Sequence, residues 1–163
     1  MRAKQLILML VLLVVGGLAL GACSVNVRGN LDESLTVESQ TTEAELQQWI
    51  DEAIADPLMR AFTVDMRDGH IYVSAERERY GGGQTDTLAF RLDLGVGDGH
   101  LTAAISDAQL NGQPVEEGRV ALWNERIANR LERGGRRYPN STLQSVAVGG
   151  DVVTMVWDVV PRR

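Results

Sequence analysis

The spacing of apolar residues predicts two helices. Behind Thr42, apolar side chains recur three and four positions apart, at Leu46, Trp49, Ile50, Ala53 and Ile54, as in a helix with one buried face. Thr42 and Glu45 match the capping box that begins such a helix, and Pro57 ends it by disfavouring helical geometry in the preceding residue. A second helix is predicted over about 116–133, with one side formed by Val120, Trp123, Ile127 and Leu131.

Alternating apolar and polar residues predict strands around these helices. The alternation runs over 62–67, 70–75, 88–94 and 101–108, with an edge strand at 34–39 and a last hairpin at 143–148 and 152–160. Asp68-Gly69 and Asp98-Gly99 are typical of two-residue hairpin turns, because both residue types tolerate positive φ. The order (β)αββββαββ predicts an α+β fold, a curled antiparallel β-sheet of about six strands with two helices packed on one face.

The last predicted strand is apolar on both faces. Val152, Val156 and Val160 lie on one side, and Val153, Met155, Trp157 and Val159 lie on the other. Such a strand needs cover on both faces, which one sheet with helices on a single side does not supply. The sheet therefore curls around a filled core, or a partner covers it, or it lines a ligand cavity.

The chain begins with a segment typical of a secretory signal peptide. Arg2 and Lys4 precede an uncharged stretch, in which Leu6 to Ala22 are all apolar or small. That stretch also reaches the lower limit of a membrane span, about 17 residues, so an uncleaved signal anchor is the alternative. Leu20-Gly21-Ala22-Cys23 resembles the lipobox of bacterial lipoproteins, in which a diacylglycerol is joined to the cysteine sulfur and the chain is cut before it.

The lipobox resemblance implies a division into three segments. Residues 1–22 are expected to be a signal peptide, 23–33 the lipidated Cys23 with a polar tether, and 34–163 a single α+β domain. The mature protein would then be extracytoplasmic and anchored by lipid to a cell membrane, since two acyl chains suffice for stable attachment. Both the inner and the outer membrane stay open as its location.

Charge and cysteine content limit the partners. The chain carries a net charge of −6, which becomes −8 when Arg2 and Lys4 are removed with the signal peptide. Nucleic acid is not an expected partner, because binding it requires a basic face. Cys23 is the only cysteine, so the sequence predicts neither a disulfide nor a cysteine-bound metal.

The Asp-Gly-His sequence occurs twice, at 68–70 and at 98–100. In a simple meander both turns lie at one end of the sheet, where two histidines and two aspartates could approach a metal ion such as zinc. The other interpretation is that Asp-Gly forms the turn and His70 and His100 merely begin strands. We favour the turn, and predict no metal.

No catalytic constellation is visible in the sequence. The glycine-rich stretches 81–83 and 95–99 do not precede a helix that could receive a phosphate. Glu76 and Glu78 share a predicted strand face, yet Arg77 and Arg79 alternate with them, as in a charged strand end that resists edge pairing. The sequence therefore predicts no enzyme activity and no cofactor.

Three arginines of the second predicted helix are candidates for contact with an anion. Arg126, Arg130 and Arg133 flank the apolar stripe of that helix. One interpretation is a border of the core, favoured by the negative C-terminal end of the helix. The other is a grip for an anionic headgroup or polymer.

The order of elements resembles small envelope proteins of the tubular lipid-binding-like kind. The resemblance covers about 42–160 and is carried by Thr42-Glu43-Ala44-Glu45-Leu46, by Asp98-Gly99-His100-Leu101 and by Leu110-Asn111-Gly112-Gln113-Pro114-Val115. It implies a helix and a curled sheet around an acyl chain, and hence binding of a lipid or another apolar envelope ligand. The expected lining residues are Trp49, Ile50, Phe90, Trp123, Ile127 and Trp157. The alternative is a tethered module that docks on an envelope protein without a small ligand.

Overall fold

A computed structural model describes residues 24–29, 34–53, 57–135 and 139–160, and omits the side chains of 49, 50, 52 and 53. The described chain contains nine strands and two helices. They are β1 (Ser24–Gly29), β2 (Leu35–Thr42), α1 (Glu43–Ala53), β3 (Met59–Arg67), β4 (His70–Glu78), β5 (Thr85–Gly97), β6 (His100–Leu110), β7 (Gln113–Pro114), α2 (Glu117–Gly135), β8 (Ser141–Val148) and β9 (Val152–Val159).

Strands β3 to β7 form one antiparallel sheet in sequence order. Its apolar side chains alternate with polar ones, as the period of two requires when one face is buried. Each of the four longer strands contributes apolar residues to the buried face, for example Phe62, Val73, Phe90 and Ile105. The alternation predicted for these strands is confirmed.

Two-residue turns join the hairpins of this sheet, as the Asp-Gly pairs predict. Asp98 and Gly99 have φ of 51° and 73°, and Gly69 has φ of 86°. A third such turn was not predicted. Asn111 and Gly112, with φ of 54° and 73°, turn β6 into the short strand β7, where we expected only a lead into the second helix.

The remaining strands form a second antiparallel sheet in the order β1-β2-β9-β8. The prediction of a single curled sheet of about six strands is therefore wrong: there are two sheets, of four and five strands, and neither is closed. The physical reason is that β2 pairs with β9 along its whole length, with Leu35 opposite Val159. Periodicity indicates which side chains share a face, but not which distant strand becomes the neighbour.

The first strand lies where a polar tether was predicted. Residues Ser24–Gly29 pair with β2 from Ser24 opposite Gln40 to Gly29 opposite Leu35. The backbone of this stretch is therefore held in a sheet. The prediction of a tether over 23–33 is wrong for 24–29.

The two helices are confirmed, and each bonds to the backbone of the five-stranded sheet, α1 at the edge strand β3 and α2 at the part of β6 that β7 does not pair with. In α1, Gln47 Nε2 donates to the Phe62 carbonyl oxygen and Gln47 Oε1 accepts from the Val64 N–H, both at 2.9 Å. In α2, Asn124 Oδ1 accepts from the Ile105 N–H at 2.7 Å, and Asn124 Nδ2 donates to the Ile105 carbonyl at 3.0 Å. These amides satisfy strand groups that no neighbouring strand reaches.

The start of α1 has the predicted capping box. The Glu45 N–H donates to Thr42 Oγ1 at 3.3 Å, and the Thr42 N–H donates to Glu45 Oε2 at 2.9 Å. Each bond satisfies an amide that has no partner inside the helix.

Strand β8 connects the two sheets. The Gly69 N–H donates to the Val148 carbonyl at 2.9 Å, and the Leu143 N–H donates to the Gly99 carbonyl at 2.8 Å. Both Asp-Gly turns thus contact the same strand. A single core runs beneath both sheets and the two helices, with Leu46, Trp123, Leu143 and Met155 all buried in it.

Candidate functional site

Three of the predicted lining residues lie deep in this core. Phe90 and Ile127 are 0% exposed and Trp123 is 2% exposed. Trp157 is partly buried and packs against the same core. The structure therefore brings Phe90, Trp123, Ile127 and Trp157 together, whereas the side chains of Trp49 and Ile50 lie outside the described residues.

Two buried side-chain polar atoms, Thr41 Oγ1 and Trp123 Nε1, have no hydrogen-bond partner among the described residues. Leaving a donor such as the Trp123 Nε1–H unpaired costs about 1–3 kcal/mol.

The core-side face of the four-stranded sheet changes from buried to exposed between β8 and β1. Across one row, Leu143 pairs with Trp157, Trp157 with Val37, and Val37 with Val27. Residues that pair directly in an antiparallel sheet point to the same side. Along this row Leu143 is 1% exposed, Trp157 and Val37 are partly buried, and Val27 is 54% exposed.

We call the uncovered part of this face the open margin. It consists of apolar side chains on β1, β2 and the end of β9, namely Val25, Val27, Leu35, Val37, Trp157 and Val159. Val25 is 58% exposed although its row partner across two strands, Met155, is 1% exposed. The margin therefore continues the hydrophobic core out to solvent.

The opposite face of the same strands is polar near the margin. Arg28 pairs with Thr36 and Thr36 with Asp158, and Thr36 Oγ1 lies 3.4 Å from Asp158 Oδ1. Further along β9 that face carries Val152 and Val156, both partly buried. The last strand, predicted to be apolar on both faces, is thus covered by the core on one face, and that cover is only partial at Trp157 and Val159.

Sequence reasoning missed Val25 and Val27. Their signal was present, since valine alternates with Ser24, Asn26 and Arg28 over five residues. The stretch is short and polar overall, and it directly follows the proposed cleavage point, so we expected a tether. Its partner β2 supplies the order that the local sequence does not indicate.

The arginines of α2 are not among the residues of the open margin. Arg126, Arg130 and Arg133 are exposed, and Arg133 Nε donates to the Asn129 carbonyl at 3.0 Å. Helix α2 packs on β6, which contacts the four-stranded sheet at β8, whereas β1 is at the opposite edge. The C-terminal end of α2 reaches the end of β8 through the Asp98-Gly99 turn, since Gly135 lies against His100 and Gly99 lies against Thr142.

Arginines of the five-stranded sheet, by contrast, pair with carboxylates. Arg91 lies 2.7 Å from Asp93 and Arg79 lies 2.5 Å from Asp86. Hydrogen bonds from Arg79 and Asn111 hold the pKa of Asp86 below its usual value. Glu78, at the charged strand end, pairs with Arg60.

The two Asp-Gly-His segments are not brought together. His70 precedes Ile71, which pairs with Leu92, whereas His100 pairs with Gly97. The two histidines are thus about four residues apart along β5, which corresponds to roughly 13 Å. Within the described ranges, no group of three or more His, Cys, Asp and Glu side chains is arranged to hold a metal ion.

Comparison with known proteins supplies no family. The sequence matches no protein-family model, no curated protein and no solved structure. Among the described residues, neither helix is long and apolar enough to cross a membrane. Cys23 and the whole proposed signal peptide lie outside the described residues.

Proposed function

We propose that this protein is an extracytoplasmic lipoprotein, anchored to a cell membrane through Cys23, whose domain binds a lipid or another apolar envelope ligand at the open margin. The anchor is supported by the sequence Leu20-Gly21-Ala22-Cys23 at the end of an apolar stretch. The uncleaved signal anchor is the competing interpretation, and it predicts a chain that retains Met1.

The observation that carries ligand binding is the exposure of valines on a face that is otherwise core. Val25 and Val27 are more than half exposed, yet they share rows with Met155 and Leu143, which are 1% exposed. A soluble domain gains free energy by covering such side chains, at roughly 25 cal/mol per Å² of apolar surface. The margin includes a partly buried tryptophan, Trp157, and a tryptophan offers a broad surface to an acyl chain.

Because the interior is filled by side chains, we propose a ligand site outside it instead of among all the predicted lining residues. The predicted lining residues Phe90, Trp123 and Ile127 pack against protein neighbours, so they support the wall of the site from behind. Among the predicted lining residues whose side chains the structure describes, Trp157 alone belongs to the open margin. We place the ligand against Trp157, Val37 and Val27.

A second candidate function is a protein-interaction module. It is favoured by the position of β1, which is an edge strand and pairs with β2 alone within the described sheet. Exposed edge strands can add a strand from another chain. This candidate predicts binding through the β1 backbone, whereas lipid binding depends on the side chains of the margin.

A photoreactive lipid distinguishes the two candidates. The full chain is expressed in a bacterium, and its membranes are given a phospholipid with a diazirine in one acyl chain. After illumination, we expect crosslinks on peptides that contain residues 25–27, 35–37 or 157–159. Trp157→Ser is expected to lose most of the crosslinking, while the matched control Tyr72→Ser, on the outward face of β4, keeps it. Crosslinks that are absent, or equally frequent on β4, would contradict lipid binding.

A further inference from the structure

We infer that the open margin rests directly on the lipid bilayer that holds the anchor, with Val25 and Val27 inserted among the acyl chains at its surface. The occupant of the margin is therefore the membrane in which Cys23 is anchored, and not a lipid carried away from it. This inference depends on the proposed lipidation of Cys23.

The first support is the short length of chain between the anchor and the margin. Cys23 directly precedes Ser24, the first residue of β1. An extended chain spans at most about 3.3–3.6 Å per residue, so Val27 lies within roughly 14 Å of Cys23. A free tether over residues 24–32 could have reached about twice as far, but 24–29 are paired with β2.

The second support is the depth that this distance allows. A lipidated cysteine sits near the boundary between headgroups and acyl chains, and peripheral elements insert about 5–10 Å at that boundary. Val25 is two residues from Cys23 and Val27 is four. Both side chains are therefore within reach of the acyl region without any change in the pairing of β1.

The third support is the chemistry of the two faces of β1. Toward the core side it presents Val25 and Val27, and toward the other side Asn26 and Arg28. The whole core-side face of β1, β2 and β9, which also carries Ser39 and Thr41, includes no charged side chain. A bilayer surface takes an apolar face with polar groups on the other side, whereas burial of Arg28 in acyl chains would be costly.

The position of α2 fits this orientation. It packs on β6, near β8, and β8 is the edge of the four-stranded sheet farthest from β1. The arginines of α2 are thus on a helix that packs at the β8 end of the strand order, three strands from β1. Neutralising them is expected to leave the membrane contact of the margin unchanged.

Site-directed fluorescence tests the inference. Because Cys23 is the only cysteine and its sulfur is occupied when lipidated, one added cysteine can be labelled with the environment-sensitive dye NBD. We compare Val27→Cys with Asn26→Cys, its exposed neighbour on the opposite face, and with Val25→Cys as a second probe of the margin. The labelled full chains are reconstituted in vesicles of phosphatidylcholine and phosphatidylglycerol.

We expect blue-shifted NBD emission at Val27 and Val25, with quenching by lipids that carry a spin label near the headgroup end of the acyl chain. The label at Asn26 is expected to report water and to escape quenching. Intact mass, measured before labelling, establishes lipidation independently. Lipidated protein with water-like emission at all three positions would overturn the inference and leave the proposed anchor standing.

Other outcomes also contradict it. An intact mass without lipid on Cys23 removes the proposed function and the inference together. A blue shift at Val27 that persists in detergent and grows with protein concentration identifies a second copy on the margin instead of the bilayer. Emission that shifts equally at Asn26 and Val27 indicates general contact, without the two-faced arrangement.

Discussion

Separate replacement of Trp123 and Trp157 tests where the closed core ends and the open margin begins. Trp123 is 2% exposed and belongs to the buried core, whereas Trp157 is partly buried and lies where the covered face becomes exposed. Truncating a buried Trp to Ala costs about 3–5 kcal/mol, because transfer energy is lost and a cavity remains. We therefore expect Trp123→Ala to lower the free energy of unfolding by about that amount.

The same change at Trp157 is expected to cost less, below about 2 kcal/mol, because fewer of its contacts are buried. A small domain is stable by only about 5–15 kcal/mol, so Trp123→Ala should lower the melting temperature by about 10–25 °C. Trp157→Ala should melt close to the parent, yet lose lipid crosslinking. The effects are measured by urea unfolding and thermal melts of the full chain in mild detergent.

A conservative pair of variants removes the ambiguity of large truncations. Trp123→Phe retains most of the apolar volume and deletes the indole N–H, which lacks a partner among the described residues. It is expected to cost clearly less than Trp123→Ala, since Phe leaves a much smaller cavity than Ala does. Trp157→Phe is the matched control at the margin.

Two results would refute this reasoning. If Trp157→Ala destabilises as much as Trp123→Ala, Trp157 is part of a closed core and the margin is not open there. If Trp123→Phe costs as much as Trp123→Ala, the apolar volume of the ring is not what Trp123 contributes to stability.

Three further predictions concern the fold. Asn124→Ala is expected to cost about 1–3 kcal/mol and to speed hydrogen exchange at the Ile105 amide, because it removes both bonds that Asn124 makes to Ile105. Asn129→Ala, exposed on the same helix, should stay within about 0.5 kcal/mol. Equal effects of the two variants would contradict the role of Asn124. Asp86 has a lowered pKa because of Arg79 and Asn111, so its contribution to stability is complete above the unfolded-state pKa and is lost as pH falls through the folded-state pKa. In Asp86→Asn, the free energy of unfolding, measured by urea titration at several pH values, should therefore fall less steeply as the pH is lowered into the acid range. An unchanged slope against pH would contradict this role of Asp86. Gly99→Ala is expected to destabilise by more than about 1 kcal/mol in urea unfolding, since φ is +73° and a Cβ would lie 2.6 Å from Thr142 Cγ2. Gly118→Ala, which has open space in α2, should be neutral or stabilising by up to about 1 kcal/mol in the same assay. A Gly99→Ala variant as stable as the parent would show that the turn relaxes.

Local patterns predicted the elements well because each pattern is caused by local chemistry. The capping box at Thr42 and Glu45 satisfies amides within one turn, and Asp98-Gly99 supplies the positive φ of its hairpin within two residues. Such features depend on neighbours in sequence. The α+β class, with an antiparallel arrangement and two helices, followed from their order.

The division into two sheets could not be predicted in the same way. Leu35 pairs with Val159 across most of the chain. From the sequence, any of several strands with suitable alternation could have been the neighbour of β2. The tether prediction failed for a related reason: Val25 and Val27 are ordered by β2, not by their own sequence. A strand held by a distant partner leaves only a weak local signal.

The candidate site was predicted in part. Phe90, Trp123 and Ile127 were placed in one interior because their spacing marks the buried sides of a strand and a helix, and they are buried there. The open margin is defined by the lack of cover over Val27 and Val37 among the described elements. That depends on where neighbouring elements end, which the alternation of a single strand does not indicate.

The central claim is the lipid anchor at Cys23, and the mass of the membrane-extracted mature protein tests it most directly. We predict a chain that begins at Cys23, lacks residues 1–22 and carries the added mass of a diacylglycerol on that cysteine, with Cys23→Ser yielding neither the cleavage nor the lipid. A wild-type chain that retains Met1 and carries no acyl group, with Cys23→Ser behaving identically, would contradict the account.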